Sequence, residues 1–340
     1  MGKNESRLQV QGERWFPSET SFSVDMKELW GDWYCDSEVG RLKSVLMHRP
    51  GNEIENITET NFKDYRFKAP INPDRARHQQ DQLASLYKKH GVKVHYISHQ
   101  RQDRPNAMFM RDLRFMTPEG AIVCRPAIAA RRGEEKAVAA KLAELGVPII
   151  KTINGEGYFE GASAMWVDRG TVIIGTGSRT NKSGAGQVIT ELKNIGVKNI
   201  IETQIPYGSI HLDGFMNMAD KKKMVIFPRH VTYECARQLQ EAGIELIELD
   251  NIKELKEGMS MNFVALEPGK VVMPSGAPET KKLLEENKIE VLETDMDEII
   301  NGWGVIHCMT AFLKRELYKK HEGLSAAQKR IVMRPENYYH

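Results

Sequence analysis

Residues 117–150 read TPEGAIVCRPAIAARRGEEKAVAAKLAELGVPII. A turn at Thr117-Pro118-Glu119-Gly120 leads into a short apolar strand from Ala121 to Pro126. A helical stretch from Glu134 to Leu145 follows and stops at Gly146-Val147, where a second apolar strand runs to Ile150. Glycine past a helix end accepts the left-handed backbone that terminates it. The β-branched residue after it favours an extended chain.

The same order recurs on both sides. Asp168-Arg169-Gly170 turns into TVIIGT from Thr171, and a helix ends at Gly196-Val197 before the strand to Ile201. The turn Ala219-Asp220-Lys221-Lys222 precedes MVIFP from Met224, and its helix ends at Gly243-Ile244. Glu267-Pro268-Gly269 precedes VVMPSG from Val271, with a helix end near Lys288-Ile289 and then EVLET. Upstream, LKSVLMHRP from Leu42 is followed by a helix from about His78 that ends at Gly91-Val92. The helix-stopping glycines Gly91, Gly146, Gly196 and Gly243 lie 55, 50 and 47 residues apart. An open α/β sheet explains the alternation but not the even spacing. Five ββαβ units of this kind predict an α/β fold closed on itself, a five-bladed pseudo-symmetric α/β propeller with its helices outside. The propeller is expected over residues 41–316. Residues 1–40, with Trp15, Phe16, Trp30, Trp33 and Tyr34, read as an N-terminal extension, and 317–340 as a C-terminal helix and polar tail.

A net charge of +2 with no basic block argues against nucleic acid or an anionic membrane surface as partner. No apolar run approaches a membrane span. Four cysteines, Cys35, Cys124, Cys235 and Cys308, are too sparse to staple 340 residues, which points to a reducing, cytoplasmic setting. Cys124 and Cys235 fall inside a strand and a helix of the repeat and read as core.

Residues able to do chemistry fall in phase with the repeat. Asp112 sits in FMRD, Glu160 in YFEG, His211 and Asp213 in HLDG, and Cys308 in IHCMT. Each lies at or near the first strand of its unit, so a closed ring would turn all of them toward one axis. Taken singly, each has a plainer reading. Cys308 on an apolar stretch suits a small buried hydrophobe, Glu160 a turn cap, His211 a core histidine and Asp112 a surface partner of Arg111. Chance does not set all of them in phase. A thiolate attacks electron-poor carbon, and an imidazole protonates a leaving group and then activates water. Several carboxylates in one cavity need a cation. One histidine, one cysteine and dispersed acids make a poor metal set, so neither metal nor cofactor is expected. A planar guanidinium, with forked N–H donors that match carboxylates, fits better. His307, next to Cys308, is set aside because adjacent residues of a strand face opposite ways.

The segments LKSVLMHRPG, PNAMFMRD, YFEG, IGTGSRTN, HLDG and GWGVIHCMTAFLKRE resemble the guanidine-modifying superfamily of arginine deiminases, dimethylarginine dimethylaminohydrolases and amidinotransferases, from about Leu42 to Glu316. That resemblance implies a five-bladed propeller. It implies Cys308 as nucleophile, His211 as general acid and base, Asp112, Glu160 and Asp213 as guanidinium clamps, and Arg179 of SRTN as the partner of a substrate carboxylate. Ser163 stands where the family usually has an acidic residue after the EG motif. The spacing leaves no room for the helical domain usual in arginine deiminases, so the build looks more like a dimethylaminohydrolase. The expected activity is hydrolysis of a guanidinium C–N bond of arginine or a substituted arginine through a covalent cysteine intermediate. The alternative is an amidinotransferase, which shares the covalent step but hands the amidino group to an acceptor amine; a catalytically idle arginine-binding protein would need neither Cys308 nor His211, and the motifs leave a homo-oligomer open.

Overall fold

A computed structural model describes residues 21–316. Fifteen strands form five separate three-stranded sheets. They are β1 (Leu42–Met47), β2 (Lys93–Tyr96), β3 (Arg114–Thr117), β4 (Gly120–Val123), β5 (Ile149–Thr152), β6 (Ala164–Asp168), β7 (Thr171–Thr176), β8 (Asn199–Gln204), β9 (Met216–Asp220), β10 (Lys223–Ile226), β11 (Glu245–Glu248), β12 (Val264–Glu267), β13 (Lys270–Pro274), β14 (Glu290–Thr294) and β15 (Ala311–Arg315). In four blades an antiparallel hairpin is followed by a helix and a strand that returns parallel to the hairpin's second strand. The leading strands β3, β6, β9 and β12 are buried along nearly their whole length, and the returning strands β5, β11 and β14 are largely half-exposed. The hairpins therefore crowd the axis and the returning strands lie at the rim. This is the α/β propeller that the even spacing of glycines predicts.

The fifth blade is completed from the far end of the chain. β15 pairs antiparallel with β1, and β2 pairs parallel with β1, in the order β15-β1-β2. The unit that begins at Leu42 lacks a leading strand of its own in sequence, and the last strand supplies it. This pairing closes the ring and gives the fifth blade the same three strands as the others. Residues of the expected extension also enter the body. The Tyr34 N–H donates to the Leu313 carbonyl and the Arg315 N–H to the Tyr34 carbonyl, while Glu38 and Val39 are buried. The expected C-terminal helix and tail, 317–340, and the aromatic pair Trp15 and Phe16 lie outside the described residues.

The helix between the second and third strands of each blade ends in the same way. Gly91, Gly146, Gly196 and Gly243 all have positive φ. Each donates its N–H to the carbonyl three residues back, and the Val or Ile that follows donates to the carbonyl five residues back. This is a Schellman stop. The residues it joins, Leu142 with Val147 and Leu239 with Ile244 for example, are buried together. The fifth helix, Pro278–Glu286, uses the same two bonds with Lys288 in the glycine place, at φ 62°. The helix expected from about His78 begins earlier, at Pro73. The Asn72 side chain accepts from the Asp74 and Arg75 N–H groups, and proline fits the first turn. No helix among the described residues is long and apolar enough to cross a membrane.

An L-residue in the left-handed region costs about 1 kcal/mol relative to glycine. Lys288→Gly is therefore expected to raise the unfolding free energy by about 0.5–1 kcal/mol, and Gly243→Lys to lower it by a similar amount. Chemical denaturation of both variants checks this, and equal signs would contradict the shared stop.

Candidate active site

The same turn delivers a polar residue in every blade. Asp112 lies in the 3₁₀ turn before β3, Glu160 just before the turn that leads into β6, and His211 and Asp213 at the turn before β9. Cys308 lies in the short helix Ile306–Met309 before β15. The remaining blade contributes Asn262, just before β12. All are buried. Asp112, His211 and Cys308 line one cavity of about 520 Å³. Glu160 and Asp213 stand behind that wall, each bonded to a residue of it.

Two buried networks face each other across the cavity. In the first, His211 Nε2 lies 2.7 Å from Glu160 Oε2 and His211 Nδ1 lies 3.6 Å from Asp112 Oδ1. Arg131 donates to Asp112 Oδ2 and, at 3.0 Å, to Glu134 Oε2. Arg179 Nη1 is 3.3 and 3.4 Å from the two Glu160 oxygens. Burial opposes a charged imidazole, but Asp112 and Glu160 outweigh it and raise the His211 pKa. Burial likewise opposes a charged Glu160, and His211 and the arginines outweigh it and hold the carboxyl low. The pair therefore stands as imidazolium and carboxylate. With Nε2 spent on Glu160, Nδ1 is the nitrogen left to move a proton. Asp112 Oδ1 is buried without a hydrogen-bond partner, a lone pair turned to whatever cation fills the cavity.

In the second network, Asn262 Nδ2 donates to Cys308 Sγ at 3.1 Å and to Asp213 Oδ2 at 3.3 Å. Its Oδ1 accepts the backbone N–H groups of Val305, His307 and Cys308 at 3.3, 3.0 and 3.2 Å. One amide thus fixes the turn that carries the thiol. Asp213 Oδ2 also receives His307 Nδ1 at 2.7 Å and lies 3.8 Å from Cys308 Sγ. Burial would raise the Asp213 pKa, but His307, by hydrogen bond and charge, brings it below the usual carboxylate range. Burial, then the charges of Asp213 and Asp112, push the Cys308 pKa well above that of an ordinary thiol, and the Asn262 bond only partly offsets them. Without a cation in the cavity the sulfur is a protonated thiol.

The structure brings Asp112, Glu160, His211 and Cys308 together, with Arg179 on Glu160. It corrects the reading of His307. That residue is in a helical turn, not a strand, and shares Asp213 with its neighbour Cys308. Asn262 and Arg131 were missed. Asn262 lies 49 residues after Asp213, so the repeat period alone could have marked it. Arg131 sits in RRGEE with no feature that separates it from Arg132. Asp112, Glu160 and His211 also offer atoms within 4.8 Å of one another, the spacing of a metal site. Both oxygens of Glu160 are already engaged, by the Ala127 N–H, Arg179 and His211, while Asp112 keeps Oδ1 without a hydrogen bond.

A closed five-blade ring with a thiol, an imidazole and acids from separate blades defines a guanidino-group hydrolase or amidinotransferase. Residues 51–315 match the family described as N,N dimethylarginine dimethylhydrolase, eukaryotic, and the chain belongs to that family. It is similar to an arginine deiminase of Rhodococcus erythropolis, 22% identical over 83% of this chain and 97% of that protein. Among solved structures it resembles the dimethylarginine dimethylaminohydrolase of Pseudomonas aeruginosa complexed with citrulline, with a TM-score of 0.67 and 20% identity, covering 80% of this chain and 100% of that one. It also resembles an amidinotransferase from Microseira wollei of the saxitoxin biosynthetic pathway, with a TM-score of 0.65 and 14% identity, covering 84% of this chain and 97% of that one.

A bound guanidinium next to Cys308 favours the thiolate and so lowers the thiol pKa. Ultraviolet titration of the thiolate, as the difference between the wild-type chain and Cys308→Ala, is expected to show this thiol ionising only in strongly alkaline solution in the empty protein. Saturation with a guanidinium ligand is expected to move the transition to lower pH. A transition in the ordinary thiol range without ligand would contradict the electrostatic reading.

Proposed function

We propose that the chain hydrolyses a guanidinium C–N bond of arginine or a substituted arginine through a covalent adduct on Cys308. The observation that carries this is a buried thiol and an imidazole on the wall of one cavity, beside a carboxylate oxygen that carries no hydrogen bond. The guanidinium donates to Asp112, with Glu160 and Asp213 supplying negative charge from behind the wall. Arg179 is the candidate partner for the α-carboxylate.

Binding of the cation lowers the Cys308 pKa, the thiol proton is released to solvent, and the thiolate adds to the central carbon. His211 gives its Nδ1 proton to the departing nitrogen, the C–N bond breaks, and an S-linked thiouronium remains. Neutral His211 then takes a proton from water while the oxygen adds to the same carbon. The C–S bond breaks, the thiolate leaves, and a ureido product forms. Arginine would give citrulline and ammonia, and a methylated arginine citrulline and an alkylamine. Glu160 keeps His211 charged for the first half, and Asn262 and His307 hold Cys308 and Asp213 in place. The likeness to the Microseira wollei amidinotransferase supports a second reading, in which an amine takes the place of water. Incubation with acceptor amines separates the two, since only a transferase yields a new guanidino compound.

Cys308→Ala is expected to lower ureido product by at least about a thousandfold, with the far-ultraviolet spectrum unchanged. Retained turnover in a folded variant would reject the mechanism. Glu160→Gln removes the anion that raises the His211 pKa. His211 then loses its proton at lower pH, so the alkaline limb of the kcat profile should move to lower pH. An unmoved limb would show that His211 is not the acid.

A further inference from the structure

Away from the reacting groups, the outer part of the same cavity is built of apolar surface and basic side chains. Lys63 and Arg66 come from one side and Lys256, at the end of the helix Ile252–Lys256, from another. All three are exposed. Among the described residues, none of the three has a carboxylate at ion-pairing distance, although surface lysines and arginines elsewhere, such as Lys281 with Glu293 and Arg237 with Glu234, are paired. Among the described residues, Asp112, at the inner end, is the one acidic side chain that lines the cavity.

The basic loop is held in place. Arg66 sits at φ 65°, a conformation that glycine adopts more cheaply, and its N–H donates to the Lys63 carbonyl at 3.0 Å. The buried Asn106 side chain donates to the Tyr65 carbonyl at 2.9 Å, and the Lys68 N–H donates to the Asn301 carbonyl at 2.8 Å. The positive potential reaches across the cavity, where burial and then Lys256 lower the pKa of His230. The cavity is thus bipolar, with carboxylates at its inner end and uncompensated cations at its mouth. One α-carboxylate calls for one cation, and Arg179 is already available for it, its charge partly answered by Glu160.

We propose that Lys63, Arg66 and Lys256 form a subsite for a second acidic group, so that the substrate is a guanidino compound whose far end carries two or more carboxylates. This rests on the guanidine reading of the inner site. The mouth attracts and orients such a tail by charge, and its apolar lining at Phe67, Leu255 and Met259 covers the connecting methylenes.

The test measures binding to Cys308→Ala by titration calorimetry, with Nα-succinyl-arginine against Nα-butyryl-arginine. The two acyl groups have the same number of carbons and differ by one carboxylate. The succinyl compound is expected to bind about tenfold more tightly at low ionic strength, and the advantage should vanish in Lys63→Gln/Arg66→Gln/Lys256→Gln. Lys63→Arg/Lys256→Arg, which keeps the charges, should retain it. Equal Kd values for the two compounds would overturn the subsite, even in a protein that converts arginine to a ureido product. A charge-dependent Kd with no ureido product from arginine or either acyl-arginine in the wild-type chain would uphold the subsite and overturn the hydrolase reading instead.

Discussion

Three carboxylates, those of Asp112, Glu160 and Asp213, are buried around one small cavity, and a protein interior does not tolerate such a group without counter-charge. Most of the polar architecture answers that demand. Arg131 takes one oxygen of Asp112, His211 and Arg179 share Glu160, and His307 with Asn262 holds Asp213. Each answer is also a constraint on position. Asp112, held by Arg131 through one oxygen, stands at the cavity wall, and Glu160 and Asp213 add negative charge from fixed positions behind it. Asp112 Oδ1 is where the answers stop and a ligand's donors begin.

The same problem recurs with opposite sign closer to the axis. Arg111, Arg114 and Arg315 are all buried. Glu38 accepts from Arg111 at 2.8 Å, and Arg111 and Arg315 lie over the Phe312 ring, 5.0 and 4.0 Å from its centroid. Burial, aided by Arg111, lowers the Arg114 pKa to about 9. Glu38 also faces His307 Nε2 at 3.4 Å, so the segment before the first strand is tied into the network that reaches Cys308. A stretch that reads as an appendage in sequence is electrostatically part of the site's support.

The architecture was legible because helix stops are local. A glycine and a β-branched residue, repeated at near-equal spacing, reported five units, and even the fifth, where Lys288 replaces glycine, kept its buried Ile289. The closure was not legible in that way. β15 carries no helix signal and completes a blade whose other strands lie more than two hundred residues earlier, a pairing that only the ring geometry specifies. For the site, phase sufficed to place Asp112, Glu160, His211, Asp213 and Cys308. Phase says where a side chain starts but not which neighbour it meets. His307 lies in four residues of helix and not in a strand, yet it stays off the cavity wall that Cys308 lines and instead holds Asp213 from behind. Arg131 was invisible because a buried arginine in a basic stretch looks like any other until its acid partners are known.

The raised pKa of Cys308 has a consequence for how the site behaves between turnovers. Thiolates, not thiols, are alkylated and oxidised. A cysteine made permanently reactive would need a fixed positive charge beside it. Here the nearest charges are the carboxylates of Asp213 and Asp112, which disfavour ionisation. The His211 ring is taken up by Glu160 and the His307 ring by Asp213. The missing positive charge must arrive with the ligand. In the proposed reaction, binding and activation are then one event: the group that neutralises the buried acids is also the group that frees the Cys308 thiolate. The residues that make the empty cavity electrostatically unfavourable are the ones that select what fills it.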